Sequence, residues 1–131
     1  MQPRKPNPRV EFRKKELQRV MDSASLAEKF HKLKSLTVEL TYLAPGGTHQ
    51  SGQMKYKANL ANARSVFRFD CSNRECVCGD HDLSDVLAEA IARHRKTITG
   101  ETTCQGWRSN EEINSVRCLG ILRYKFGLGY S

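Results

Sequence analysis

Two periodicities divide this chain. Through residue 33 the apolar side chains Val10, Leu17, Val20, Met21, Ala24, Phe30 and Leu33 recur at three- and four-residue steps, the spacing of one helix face. Asp22 and Ser23 interrupt that stripe, and Ser23 or Ser25 is placed to cap a second helix. After Ser35 the period becomes two. Val38, Leu40 and Tyr42 alternate with Thr37, Glu39 and Thr41, and Met54, Tyr56, Ala58 and Leu60 alternate with Lys55, Lys57 and Asn59. Ala-Pro-Gly-Gly at 44–47 and Ser-Gly at 51–52 lie between the two runs, so they predict a hairpin with a long tip.

Residues 65–70, Ser-Val-Phe-Arg-Phe-Asp, read as a third strand that delivers Cys71 to a loop. A helix over about 83–96 follows, with Ser84 as its cap, Asp85 in its first turn, a stripe of Val86, Leu87, Ala90 and Ile91, and a basic end at Arg93, His94, Arg95 and Lys96. Thr97–Trp107 and Val116–Tyr130 then read as a closing hairpin across a polar turn at 109–114. The predicted fold is α+β: an antiparallel sheet of about five strands, one packed helix and a basic N-terminal helical region. The organisation is an arm over 1–8, rich in Pro and expected to be disordered, a basic amphipathic region over 9–34, and an α+β cysteine domain over 35–131.

Five cysteines change the picture from a plain sheet domain. Cys71, Cys76 and Cys78 crowd one loop with His81 close by, and Cys104 and Cys118 stand in the last hairpin. With the turn centred on Glu111, Cys104 faces Cys118; Ile98, Gly100 and Thr102 face Tyr124, Leu122 and Gly120; and Thr97, Thr99 and Gln105 face Lys125, Arg123 and Arg117. Two cross-strand thiolates plus Cys71 and Cys76, whose spacer is of zinc-ligand length, complete a zinc-ribbon-like tetrahedron, with Cys78 and His81 as reserves. Structural zinc is the leading expectation; unmetalled thiols or a disulfide, and an iron–sulfur centre, are the alternatives. Four protein ligands leave zinc no open position, which points to architecture rather than catalysis. Cys78, near Arg74 and His81, also suits a thiol redox sensor.

Charge bears on partners. Lys and Arg number 22 against 14 Asp and Glu, and residues 1–35 hold ten of the former against four of the latter, so most of the +8 excess lies at the N-terminal end. No Ser-His-Asp order, phosphate loop or dinucleotide fingerprint is present, and the Gly46-Gly47 pair lacks the flanking residues of one. The expectation is therefore a non-enzymatic binding module for nucleic acid, RNA foremost. Arg13, Lys14, Arg19, Lys29 and Lys32 would contact phosphate from the helical region, Arg117, Arg123 and Lys125 from the polar face of the last hairpin, and Trp107 with Arg108 would supply a stacking platform. The rival is a protein-interaction module that docks through the N-terminal helix. No apolar run reaches bilayer length and the basic N-terminus lacks the apolar core of a signal peptide, so the expected compartment is the cytoplasm.

Four segments, Lys-Ser-Leu-Thr-Val-Glu-Leu at 34–40, Ser-Val-Phe-Arg-Phe-Asp-Cys at 65–71, Cys-Gln-Gly-Trp-Arg-Ser at 104–109 and Ile-Leu-Arg-Tyr-Lys-Phe-Gly-Leu-Gly-Tyr at 121–130, resemble a family of small bacterial proteins of uncharacterised function. The resemblance implies Cys71, Cys76, Cys104 and Cys118 as the shared set, with Cys78 a departure, and brings no activity. The order helix, three strands, helix is also similar to that of double-stranded-RNA-binding domains, which have no place for the cysteine loop or the final hairpin.

Overall fold

The computed structural model describes residues 8–44, 47, 49–71, 79–104, 106 and 118–131. The elements run α1 (Pro8–Asp22), α2 (Leu26–Lys29), β1 (Leu33–Leu43), β2 (Gln50–Lys57), β3 (Arg68–Asp70), β4 (Asp80–Asp82), α3 (Ser84–Ala92), β5 (Thr97–Thr103) and β6 (Ile121–Tyr130). The expected arm before Pro8, and the turn at 109–114, lie outside the described residues. Ser25 caps α2 as its sequence position suggests, its hydroxyl accepting the Glu28 amide at 3.1 Å.

The two period-two runs build one antiparallel sheet in the order β2-β1-β6-β5. β1 and β6 form its centre, with Val38 opposite Phe126 and Leu40 opposite Tyr124. Alternation then sorts the side chains. Leu36, Val38 and Leu40 of β1 and Leu122, Phe126 and Leu128 of β6 are buried, and they pack against Leu26, Phe67, Leu83 and the α3 residues Leu87, Ala90 and Ile91. On the other face Thr37, Lys55, Lys57, Thr97, Thr99, Arg123 and Lys125 are exposed. A sheet with one wet side has this pattern.

Three expectations need correction. The sheet has four strands rather than about five, because the third predicted strand narrows to β3 and pairs with β4 in a separate two-stranded sheet, Phe69 opposite His81. That pairing also removes the likeness to double-stranded-RNA-binding domains. The closing hairpin is displaced by two residues from the expected register: Ile98 faces Phe126, Gly100 faces Tyr124 and Thr102 faces Leu122. An even shift keeps every side chain on its expected face, so the burial pattern survives the error. Finally, α3 ends at Ala92 and its N-cap is Leu83 rather than Ser84; just before it, the Asp82 Oδ1 accepts both the Ser84 amide at 3.0 Å and the Ser84 hydroxyl at 2.5 Å. Ser84 instead accepts the Phe67 amide at 2.8 Å, tying β3 to α3.

α1 inverts the sequence expectation. Of the apolar stripe, Val10, Leu17 and Met21 are 45%, 62% and 55% exposed, so this part of it does not enter the core. The helix docks by a neighbouring stripe. Glu16 lies 3.6 Å from Arg68, the Arg68 guanidinium lies 5.8 Å from the Phe12 ring, and Arg19 bonds Asp82 at 2.9 Å. Arg68 itself is 7% exposed and is held by Asp80 at 2.7 Å and Asp70 at 2.8 Å. A nearly buried guanidinium with its donors shared among acids is the usual way such a charge is tolerated, and here it fixes where α1 lies.

Candidate metal centre

Three strand ends bring three sulfurs together. Cys71 follows β3 directly, Cys104 follows β5 directly, and Cys118 stands three positions before the start of β6 at Ile121. Their Sγ atoms all lie within 4.8 Å of one another, and all three side chains are buried. No disulfide joins them. The cluster ties the small sheet to the closing hairpin.

Cys104 and Cys118 are not the directly opposed pair that a turn at Glu111 would give. The Cys104 amide donates to the Gly120 carbonyl at 2.7 Å, so Cys104 faces Gly120, while the Cys118 amide donates to Gly106 at 2.8 Å. Leu119 lies between these pairs with φ of 53°, in the left-handed region, and its amide turns to the Cys104 carbonyl at 3.2 Å. This irregularity draws the diagonal cysteines together where a straight ladder would hold their Cα atoms about 7–8 Å apart. Gly120 lies against the cluster: a Cβ there would meet the Cys118 sulfur at 3.6 Å and that of Cys71 at 3.7 Å, ordinary contact distances.

The donor geometry suits a metal ion. The Cys71 and Cys118 sulfurs are 3.5 Å apart, against about 2.0 Å for a disulfide and about 3.8 Å for two thiolates held 2.3 Å from one tetrahedral ion. The Gly106 amide donates to the Cys104 sulfur at 3.4 Å. An amide two residues beyond a cysteine, aimed at its sulfur, is an outer partner of the kind that orients metal-ligating side chains. The Cys104-Gln105-Gly106 spacing carries that signal in the sequence, and sequence reasoning passed over it. Three sulfurs are thus close enough to bind a metal ion.

His81 is not among the converging ligands. It is 2% exposed, its Nδ1 lies 2.5 Å from the Thr102 hydroxyl, and its ring meets Tyr42 edge-on with centroids 6.3 Å apart. Burial pushes its pKa down to about 4; Asp80 pulls the other way, and Arg68 adds to the lowering. A neutral imidazole bonded to a hydroxyl makes His81 a core residue that links β4 to β5. Beside it, burial alone would raise the Asp82 carboxyl, but the hydrogen bonds from Ser84 and Arg19 outweigh it and hold the group below its usual range.

The other expected site residues separate. Cys76, Cys78, Trp107, Arg108 and Arg117 lie outside the described residues. Arg13, Lys14, Lys29, Lys32, Arg123 and Lys125 are exposed, whereas Arg19 is taken up by Glu16 at 2.8 Å and Asp82 at 2.9 Å. On the open sheet face Lys55 pairs with Glu39 at 3.1 Å and Arg123 with Glu101 at 3.3 Å, leaving Lys57 and Lys125 outside any ion pair among the described residues. Among those residues no helix is long and apolar enough to cross a membrane. No protein-family model, curated protein or solved structure matches the chain.

Proposed function

We propose that this chain is a zinc-structured, non-enzymatic binding module that takes nucleic acid, RNA foremost, on the open face of its four-stranded sheet. Cys71, Cys104 and Cys118 supply three thiolates and Cys76 the fourth; this donor set favours zinc over hard cations. The centre's burial suits a structural ion. The observation that carries the binding reading is the uncovered sheet face, where Lys57 and Lys125 stand among Thr37, Thr41 and Thr99 with no element of the described chain packed over them. Cations without acidic partners on a flat polar surface are what phosphate contact uses. α1 docks on β3 and β4, which pack on the opposite side of the sheet, so Arg13 and Lys14 belong to a separate surface.

The test has two arms. Metal analysis of protein prepared without added metal should give about one zinc per chain, as four protein ligands require. In the second arm, retention of a mixed-sequence single-stranded RNA should fall steeply as salt rises, and should be lost in the Lys57→Glu/Lys125→Glu double variant. Retention that survives the sheet-face reversals and disappears on reversing Arg13 and Lys14 moves the contact to α1; retention indifferent to both pairs rejects the nucleic-acid reading.

One observation favours a second reading. The exposed Val10, Leu17 and Met21 side chains share one side of α1, as expected of a helix that docks on a partner protein. Such binding would hardly respond to salt and would be lost on Leu17→Glu.

A further inference from the structure

β5 is an outer strand of the sheet, and among the described residues its backbone over 97–102 is half used. The Cys104 amide reaches Gly120 at 2.7 Å and the Leu128 amide reaches Lys96 at 2.8 Å, which fixes the alternation of the ladder. Ile98, Gly100 and Thr102 therefore exchange their bonds with β6, while the amides and carbonyls of Thr97, Thr99 and Glu101 point away from it. Among the described residues no strand lies along that outer edge.

A cleft of about 440 Å³ opens beside the same edge, between α3 and β5. Val86 and Ala90 form its helical wall, Ile98 its strand wall, and Tyr124 lines it where its ring reaches over Gly100. A Cβ at Gly100 would push the Tyr124 ring out of this position. Arg95 borders the cleft on a fastened turn: its amide bonds the Ala90 carbonyl at 2.9 Å and its own carbonyl accepts the Tyr130 hydroxyl at 2.7 Å. Glu89, the acid of the cleft, is paired with Arg93 at 3.0 Å, whereas Arg95 and the adjacent Lys96 form no ion pair among the described residues.

We propose that the outer edge of β5, together with the cleft against α3, takes up an extended acidic peptide as an added strand. Backbone donors and acceptors at every second residue select an extended polypeptide. The cleft accepts its alternate side chains, and Arg95 with Lys96 selects a carboxylate at one end. This edge borders the open sheet face at Thr97 and Thr99, and the proposal does not depend on nucleic-acid binding there.

The probe is a library of random seven-residue peptides selected on the full chain, with the most enriched peptide then synthesised. The selected peptides should carry an acidic residue at a fixed position, and binding should slow hydrogen exchange at the Thr97, Thr99 and Glu101 amides. Thr99→Pro removes an outward donor without removing a bond to β6, and Arg95→Glu reverses the selecting charge; each should weaken binding roughly tenfold, the scale of one buried hydrogen bond or charge contact. If Thr99→Pro disturbs the strand, Arg95→Glu and the exchange pattern decide. Failure to enrich any peptide, enrichment without acidic residues, or protection elsewhere on the surface overturns the proposal. So does a concentration-dependent dimer abolished by Thr99→Pro, which would assign the edge to a second copy of the chain.

Discussion

The strand β6 leads from a sealed corner to an open surface, and the contrast between them separates what holds the domain together from what it leaves uncovered. At its start, Cys118 is fully buried against Cys71 and Cys104, held by backbone bonds and backed by a glycine. A few residues on, Lys125 stands in solvent on a face that nothing in the described chain covers. Side chains that cannot meet water belong to architecture; side chains that only meet water are available for a partner. Disturbing the corner should therefore cost stability, and disturbing the face should cost binding alone.

The largest effect is expected at the corner. Cys104→Ser or Cys118→Ser should release the metal and destabilise the domain by more than about 3 kcal/mol, read as a fall in melting temperature matched by a chelator on the parent protein. Cys76→Ser should behave alike and Cys78→Ser should keep its zinc; the reverse pattern would exchange the two in the ligand set. Next comes Arg68→Met, which leaves Asp80 and Asp70 facing each other without their cation and should cost about 2–3 kcal/mol in denaturant unfolding.

Acid should act through His81. Its folded pKa of about 4 lies below the ordinary value of 6.5, so between those values the unfolded chain binds the extra proton. Stability from this group is full above about pH 6.5 and declines as pH falls towards 4, by about 1–3 kcal/mol. A ring resonance that titrates near 6.5 would contradict the buried neutral imidazole, and His81→Gln should flatten the slope. Leu119→Gly is a smaller change with the opposite sign: relieving a left-handed, 45% exposed leucine should raise stability by up to about 1 kcal/mol. Smallest of all, Lys57→Glu/Lys125→Glu should leave the unfolding midpoint within about 0.5 kcal/mol while removing RNA retention.

Periodicity made much of this visible in the sequence. Strict alternation over 36–42 and 121–130 marked the two central strands, and the inward set Val38, Leu40, Leu122 and Phe126 followed from it. The cysteine cluster was legible because residue type alone restricts its chemistry. The register of the last hairpin was not, since a two-residue shift leaves the same faces and only the irregularity at Leu119 restores the meeting of Cys104 and Cys118. The docking side of α1 was not legible for a different reason. Its apolar spacing is genuine, but Arg68 and Asp82, far along the chain, decide which side docks. β4 is three residues, Asp-His-Asp, with no pattern to announce it, and it is a strand because Arg68 to Asp70 lie alongside.

The central pairing of the sheet has a temporal consequence. Thr37 and Gly127, neighbours across β1 and β6, are 90 residues apart in the chain. The β1–β2 hairpin and α3 can form early, yet the face they must cover is incomplete until β6 arrives between β1 and β5. Closing so long a loop before any reward is slow. A growing chain thus carries β1 with its β6-facing edge unpaired, exposed to misplaced strands, until β6 emerges and fills the gap.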